Sequence, residues 1–499
     1  MTLVITEPGQ PYPAAPVQPR ILERPEHPVS RRDIDPRVLK VLYRLIKAGH
    51  TAYLVGGGVR DLMLERKPKD FDVATSAHPH EVRELFRNSR LIGRRFRLVH
   101  VFFGPHNIEV ATFRRRAEDV AESDEPLIRH DNTFGTAEED AFRRDFTVNA
   151  LFYDPQSFRV IDYVGGVADL EARLIRTIGD PELRMREDPV RMLRAVRFAA
   201  KLGFEIEPAT RAAIERHRAD LLKASVPRLV EEIYRAFGIA AAARALELMC
   251  ELGLLEILLP PLAAFLRAGA TPPSGSATAR NLAAMGRRIS AGAEPTHALV
   301  LACLFADLYL GAMPGGQRPD LVSELRLRGF PRADAERMRL VLEALPHLMA
   351  PGRRTRRLLQ RPYFAEARWV YEIVAPTYGV DPATLADFLR APDAFLAERG
   401  GEPRRGEAHR EPGAGEPRRR RRGRRGRRGG RGRHRRHPRA AAAQAARQAT
   451  EDDAAQGGHA HGGTARTHHG DRHGPGGYGD TDTTAGVDES LGRPGETDN

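Results

Sequence analysis

The 499-residue sequence predicts an α+β head, followed by an all-α neck and body and by a disordered basic C-terminal tail. Short runs rich in β-branched and aromatic residues fill the region from about residue 51 to residue 179, as expected of strands. From residue 181 to about residue 396, apolar residues recur at helical spacing instead. Beyond residue 400, arginine, glycine and histidine dominate, and such a composition cannot bury a hydrophobic core.

The head is predicted to follow a proline-rich, mobile segment over residues 1–35. A helix is predicted over 36–48, because its apolar residues lie at helical spacing and Gly49 closes it. Strands are predicted at TAYLV, FDVAT, RLVHVFF, NIEVATF, FTVNALFYD, FRVIDYV and LIRTIG. Together these elements predict a head over residues 36–178.

Helical patterns continue after the head in PVRMLRAVRFAAKLG, PATRAAIERHRADLLK and VPRLVEEIYRAFG. The loop TPPSGSA interrupts them and divides a predicted neck (179–270) from a predicted C-terminal helical body (271–396). Residues 397–499 form the predicted disordered tail.

The net charge of +13 is concentrated in the tail. Residues 401–440 contain 17 arginines, no lysine and four glutamates, whereas the first 400 residues are only mildly basic. A block of arginine and glycine attracts polyanions, which favours nucleic acid as a partner over a role in solubility alone.

Three features predict a cytoplasmic protein. The two cysteines, Cys250 and Cys303, lie in apolar helical patterns and provide neither a disulfide framework nor zinc-ligand spacing. The N-terminal segment lacks the basic and apolar regions of a signal peptide. The longest apolar run, 298–306, is too short to span a bilayer.

A glycine turn and a carboxylate pair stand close together in LVGGGVRDLMLERKPKDFDVAT. Glycines 56–58 open a predicted helix, and such a turn presents backbone N–H groups to a phosphate, with Arg60 as an added cation. Asp70 and Asp72 are spaced i, i+2 and would share one side of a strand, where Mg²⁺ is the natural counter-ion. Either feature alone is weak evidence, since a solvated strand also gives Asp-x-Asp, but the combination favours a nucleotide site.

Two further polar clusters follow. RRDFTVN places Arg144 and Asp145 near a strand start, and offers a third carboxylate beside a guanidinium. EDPVRMLRAVR places Asp188 near a helix start and Arg191 three residues later. An acceptor beside a planar donor is what reading the edge of a base requires, although a solvated, salt-bridged face gives the same pattern.

The chain resembles the class II nucleotidyltransferases of the DNA polymerase β-like superfamily in the motifs LVGGGVRD, KDFDVATSA, IEVATFR, RRDFTVNAL, DYVGGVADL with LIRTIG, and REDPVRMLRAVRFAAKLG. That group contains tRNA CCA-adding enzymes and bacterial poly(A) polymerases, and the resemblance covers about residues 36–240. LIGRRFRLVHVFFG and the Arg-rich tail resemble the poly(A) polymerases in particular. The segment between Phe113 and Asp131 is shorter than in that subgroup, which leaves the choice of nucleotide open.

The resemblance implies a polymerase β-like nucleotidyltransferase head and a neck (179–270) that reads the base and binds RNA, and it assigns roles to single residues. Asp70 and Asp72 match the catalytic, metal-binding pair, and Asp145 matches a third catalytic carboxylate. The positions that match nucleotide contacts are Gly57, Arg60, Arg144, Asp188, Arg191, Arg194 and Arg197. Glu109 lies on the adjacent strand, and its direct role in metal binding stays open.

The implied activity is template-independent addition of AMP from ATP to RNA 3′ ends, the poly(A) tailing of mRNA processing and decay, by two-metal phosphoryl transfer with Mg²⁺. The RNA partners would be mRNA and small RNAs, with tRNA as a further candidate. The alternative is a CCA-adding or A-adding tRNA nucleotidyltransferase, which shares nearly all these motifs. An RNA-binding protein with an inactive head is disfavoured, because all the site residues are present together.

Overall fold

A mixed eight-stranded sheet forms the head. In this computed structural model, which describes residues 18–93, 98–115, 133–311 and 319–399, the strands are β1 (Arg20–Leu22), β2 (Ala52–Val55), β3 (Asp72–Thr75), β4 (Ser89–Ile92), β5 (Leu98–Phe103), β6 (His106–Thr112), β7 (Leu151–Asp154) and β8 (Arg159–Asp162). Their order is β1-β8-β7-β2-β3-β6-β5-β4. β3 and β6 run parallel, and the other described pairs are antiparallel.

Five helices accompany the sheet among the described residues: α1 (Pro36–Lys47), α2 (Gly57–Met63), α3 (Pro79–Leu85), α4 (Ala137–Arg143) and α5 (Gly166–Ala172). The predicted first helix is confirmed. It starts where the Asp35 side chain accepts a hydrogen bond from the Arg37 N–H and where Pro36 suits the first turn. Its apolar residues, at helical spacing, are buried in the core of the head.

The prediction of a mobile segment over 1–35 is wrong from residue 20 onward. β1 pairs with β8, with Arg20 opposite Asp162. Val29 and Ile34 are buried, and His27 Nε2 lies 2.9 Å from the Phe158 carbonyl oxygen. A three-residue strand shows no periodicity, and the surrounding prolines suggested a linker, so the sequence did not reveal this pairing.

The helical part begins with α6 (Pro181–Glu187), α7 (Val190–Leu202), α8 (Pro208–His217), α9 (Val226–Phe237), α10 (Ala242–Glu251), α11 (Leu255–Leu258) and α12 (Pro260–Ala268). Between α5 and α8, the short strands β9 (Leu174–Ile175) and β10 (Glu205–Ile206) pair in parallel. α7 is the central element, because most of its residues are buried, including Arg191.

The remaining helices are α13 (Ala277–Ser290), α14 (His297–Leu310), α15 (Leu321–Leu327), α16 (Arg332–Met349), α17 (Arg353–Leu358), α18 (Phe364–Val374), α19 (Ala383–Arg390) and α20 (Pro392–Arg399). The described helices and the head share one continuous hydrophobic core. No described helix is both long and apolar enough to cross a membrane. Cys250 and Cys303 are free thiols, and burial raises the pKa of each to about 12.

The predicted strand FTVNALFYD is shorter than expected. FTVNALFYD starts as a 3-10 turn over Thr147–Asn149, and its strand occupies Leu151–Asp154. The Thr147 hydroxyl donates a hydrogen bond to the Asp169 carboxylate, and the turn makes this contact possible. The local sequence does not predict it. Three predicted features lie outside the described residues: positions 94–96 of the Gly-Arg-Arg-Phe element, the short loop at 116–132, and the tail beyond residue 399.

Candidate active site

The glycine turn and the aspartate pair meet at one end of the sheet. β2 and β3 pair antiparallel, with Val55 opposite Asp72, so the turn that follows β2 lies beside the residues that precede β3. Gly56 has φ +71° and ψ −133°, a conformation that L-residues rarely adopt. A Cβ at Gly58 would lie 3.3 Å from Phe71 Cδ1, so the turn also packs closely against the aspartate segment.

Asp70 and Asp72 are both exposed at this end of the sheet, while Phe71 between them packs against the core. The parallel pairing of β3 with β6 places Glu109 opposite Asp72. Glu109 in turn lies near His100, with 3.4 Å between His100 Nε2 and Glu109 Oε1. The structure therefore brings together the carboxylates of Asp70, Asp72 and Glu109 at one end of the sheet. The first two form the Asp-x-Asp pattern seen in the sequence.

The pKa of Asp72 is raised to about 6. Surrounding protein atoms displace water from its carboxyl group, which is the largest cause, and the negative charge of Glu109 comes next. Arg144 opposes this shift, and Asp70 adds to it. Like charges crowded in this way are stabilised by a cation placed between them.

The carboxylates of Asp70, Asp72 and Glu109 are chemically suited to bind Mg²⁺, because hard cations prefer oxygen ligands of this kind. Among the described residues, no cluster of three or more candidate ligands is arranged to hold a metal ion by itself. Magnesium commonly keeps several waters and binds through one or two carboxylates together with substrate phosphates. An aspartate pair beside a phosphate-sized turn suits that mode.

Arg144 stands between the glycine turn and the carboxylates. Its Nε and Nη2 donate to Asp140 Oδ2 at 3.0 and 2.8 Å, and its Nη1 donates to the Asn149 carbonyl oxygen at 3.3 Å. A Cβ at Gly56 would lie 3.1 Å from Arg144 Nη1. The buried carboxylate of Asp140, in the middle of α4, thus holds a partly exposed guanidinium against the turn, and the nucleotide contact of Arg144 stays a prediction.

Arg60 lies beside the glycine turn, since a Cβ at Gly57 would lie 3.5 Å from Arg60 Nη2. Only 2% of Arg60 is exposed. Its Nη2 donates to Asp61 Oδ1 at 2.6 Å, and its Nη1 donates to Asn149 Oδ1 at 2.6 Å. Because Asp61 and Asn149 hold the guanidinium, Arg60 joins α2 to the 3-10 turn, and its contact with a nucleotide stays a prediction.

Asp145 is enclosed by donors. Arg194 Nε and Nη2 lie 2.7 and 2.5 Å from Asp145 Oδ2, and the Asn149 amide and the Phe146 N–H donate to Oδ1. Burial alone would raise the pKa of Asp145, but these partners together hold it well below its ordinary value. Asp145 therefore forms an ion pair with Arg194, and its role as a third catalytic carboxylate stays a prediction.

Asp188 and Arg191 are close in sequence but have different partners. Arg228 Nη1 and Nη2 donate to the two Asp188 oxygens at 2.8 and 2.7 Å. Arg191 Nη1 donates to the Arg184 carbonyl oxygen at 2.8 Å and to Glu187 Oε2 at 3.1 Å. Arg228 was missed by sequence reasoning, because nothing in VPRLVEE marks a contact across 40 residues of chain.

Three arginines surround the ring of Phe198. The guanidinium carbons of Arg60 and Arg194 lie 5.3 Å from its centroid, and that of Arg197 lies 4.2 Å away. Arg197 also pairs with Glu232. Burial lowers the pKa of Arg197, and Glu232 opposes that shift. The predicted supporting arginines therefore form a packed junction between the head and α9.

Comparison with known proteins agrees with this geometry. Residues 52–176 match the family model described as "Poly A polymerase head domain", and residues 203–266 match the one described as "Probable RNA and SrmB- binding site of polymerase A". The first match contains Asp70, Asp72, Glu109 and Arg144. The second begins just after α7.

Similar proteins include both branches of one family. Poly(A) polymerase I of Escherichia coli O6:H1 is 52% identical over 250 residues, covering 49% of this chain and 54% of the relative. A CCA-adding enzyme of Bacillus velezensis is 40% identical over 222 residues, covering 44% and 55%. The solved CCA-adding enzyme of Bacillus stearothermophilus in complex with CTP aligns with a TM-score of 0.53 and 29% identity, covering 72% of this chain and 83% of its own. The chain thus spans about half the length of these two sequence relatives.

Proposed function

We propose that this chain, which belongs to the nucleotidyltransferase family of bacterial poly(A) polymerases, transfers AMP from ATP to RNA 3′ ends without a template. The observation that carries the proposal is the meeting of Asp70 and Asp72 with the glycine turn at one sheet end. Similarity to Poly(A) polymerase I in several bacteria supports adenylate as the group transferred.

Asp70 and Asp72 would hold Mg²⁺, which when bound supplies charge stabilisation at the reacting phosphate and a lowered pKa of the attacking 3′-hydroxyl. The chain's own residues position the substrate. Backbone N–H groups of the turn that includes Gly57 would bind phosphate oxygens, and Arg144 would add a charge-assisted contact. Glu109, opposite Asp72 on β6, would add a further negative charge beside the metal-binding pair.

Choice of the base is assigned to the junction of α6 and α7. Asp188 can accept from an adenine amino group, and Arg191 is held by Glu187 so that its planar guanidinium keeps one orientation. The Asp188 carboxylate is already paired with Arg228, so a base would share or replace that contact. Selection by such side chains needs no template strand.

The proposed partners are RNA 3′ ends of mRNA and small RNAs, in the cytoplasm. The family match over residues 203–266 supports RNA binding by the neck. The arginine-rich tail would add electrostatic affinity for the RNA backbone, with a strong dependence on salt.

A second candidate is CCA addition to tRNA. It is favoured by the structural alignment, which covers 83% of the solved CCA-adding enzyme. The two activities share phosphoryl transfer and differ in nucleotide choice and in when addition stops.

Primer extension separates them. Purified full-length protein would receive Mg²⁺ and either ATP or CTP, with an unstructured oligoribonucleotide or a tRNA lacking its CCA end as primer. Long adenosine ladders on the oligoribonucleotide, with CTP hardly used, are the expected result. Two cytidines and one adenosine on the tRNA, followed by arrest, would instead establish the second candidate.

A further inference from the structure

The short helix α17 in the C-terminal body carries an unusual concentration of arginines. Within RRTRRLLQR, five arginines are exposed: Arg353, Arg354, Arg356, Arg357 and Arg361. We call these five side chains the α17 arginine face. It lies outside both family-model matches and outside the tail, and no role in the site described above involves it.

Most members of this face lack an acidic partner among the described residues. Arg356 pairs with Asp393, with 2.6 Å between Nη1 and Oδ1. No carboxylate within the described ranges pairs with the other four. Elsewhere in the body, arginines are commonly paired, as Arg339 is with Glu336 and Glu343.

The helix holds these cations firmly and points them outward. Thr355 is fully buried, and its hydroxyl donates to the His347 carbonyl oxygen at 2.6 Å and accepts from the Gly352 N–H at 2.9 Å. Leu358 packs against the core. At 100° per residue, positions 355 and 358 define the inner side, and Arg353, Arg356 and Arg357 occupy the opposite arc.

This arrangement is electrostatically unfavourable for the fold by itself. Arg353 and Arg354 lie in the first turn, where the helix dipole disfavours cations, and Arg353 and Arg357 are like charges at i, i+4. A bound polyanion would relieve both effects. Cations in the first turn and like charges at i, i+4, with few acidic side chains to balance them, are typical of a functional surface.

We propose that the α17 arginine face binds the phosphate backbone of single-stranded RNA, at nucleotides upstream of the 3′ end that the head extends. This rests on the proposed function only for the identity of the polyanion. RNA fits better than a protein partner because interface centres in proteins are apolar or aromatic, and none of the exposed large apolar side chains of the described residues lies between 350 and 365. Arginine also suits phosphate recognition, since its planar fork can bind two oxygens at once.

The test compares two full-length variants that lose equal charge. The first combines Arg353→Gln, Arg354→Gln and Arg357→Gln. The matched control combines Arg339→Gln, Arg368→Gln and Arg390→Gln, which are paired with carboxylates on the same body. Fluorescence anisotropy with a labelled 20-nucleotide RNA, measured over a range of salt concentrations, reports affinity, and thermal melting checks that each variant folds.

The first variant should bind the RNA about tenfold more weakly at low salt, with a salt slope flatter by about 2, while the control keeps wild-type values. Extension of a trinucleotide primer should be unchanged in both, since so short a primer occupies the head alone. Equal RNA affinity and slope in the two variants would overturn the proposal. Because binding is measured without nucleotide, a protein that extends no primer would refute the proposed function while leaving this test intact.

Discussion

Asp72 and Asp145 are two carboxylates of the same head in opposite electrostatic environments. Asp72 is exposed, lies opposite Glu109, and has a pKa raised to about 6. Asp145 is surrounded by Arg194, Asn149 and a backbone N–H, and its pKa is held well below the ordinary value. The difference shows that a carboxylate crowded by like charges is poised for an external cation, whereas one saturated by donors holds the fold together.

The largest effect on activity is expected at Asp72, which is crowded by other carboxylates. Asp72→Asn removes one of the two proposed Mg²⁺ ligands, and nucleotide addition should fall by at least about 100-fold, because several kcal/mol of charge stabilisation are lost. RNA affinity measured by anisotropy should stay near the wild-type value. Asp70→Ala should behave in the same way. Activity above a few per cent of wild type would contradict the metal-site assignment.

Substitution of Asp145, whose carboxylate is surrounded by hydrogen-bond donors, should lower the stability of the protein. Asp145→Asn leaves Arg194 without its charged partner, and the free energy of unfolding in urea should fall by about 3 kcal/mol. Asp72→Asn is the matched control, since its carboxylate makes no hydrogen bond or ion pair with the described residues. An Asp145→Asn protein that is as stable as wild type but inactive would instead support the predicted role of Asp145 as a third catalytic carboxylate.

A smaller effect is expected at the α6–α7 junction. Arg191→Ala removes the hydrogen bonds to Glu187 and to the Arg184 carbonyl oxygen, and the preference for ATP over CTP should fall roughly tenfold, as expected for one lost hydrogen-bonding group. The ratio of kcat/KM values for the two nucleotides is the measurement. Unchanged selectivity, with only a loss of stability, would mean that Arg191 is purely structural.

The smallest expected effect is on the pH dependence of the protein's stability, measured without divalent cations. Since the pKa of Asp72 is raised in the folded protein, the folded state binds more protons than the unfolded state between about pH 4 and 6. Ionisation of Asp72 therefore destabilises the folded state. This loss of stability is absent at low pH and grows as pH rises to about 6. Because the side chain is exposed, screening should keep the change below about 1 kcal/mol. Glu109→Gln should reduce it, and urea titrations in EDTA that show the same pH slope for both proteins would contradict this coupling.

Much of the site was accessible from the sequence, because local motifs encode local geometry. The glycine turn, the Asp-x-Asp pair and the parallel neighbour Glu109 all follow from short runs with clear strand or turn character. The partners of Arg60, Asp145 and Asp188 did not follow. Each depends on a contact between distant segments, such as Arg228 with Asp188 or Arg194 with Asp145, and single-sequence patterns carry no information about such pairs.

The same limit applies to the fold. Long periodic segments, such as α1, α7 and α9, were predicted to within one or two residues, since burial of an amphipathic face determines them. The short strands β1, β4 and β10 were missed, because their conformation is imposed by the neighbour with which each pairs.

The pairing of β1 with β8 has a consequence for biosynthesis. Arg20 is made early, but its partner Asp162 follows only after the rest of the sheet has been translated. At ribosomal speeds of about 5–20 residues per second, β1 therefore waits about 7 to 28 seconds for its neighbour. The sheet of a nascent chain thus stays unclosed on this side until β8 is made, and β1 cannot pair before then although it is translated before the other described strands.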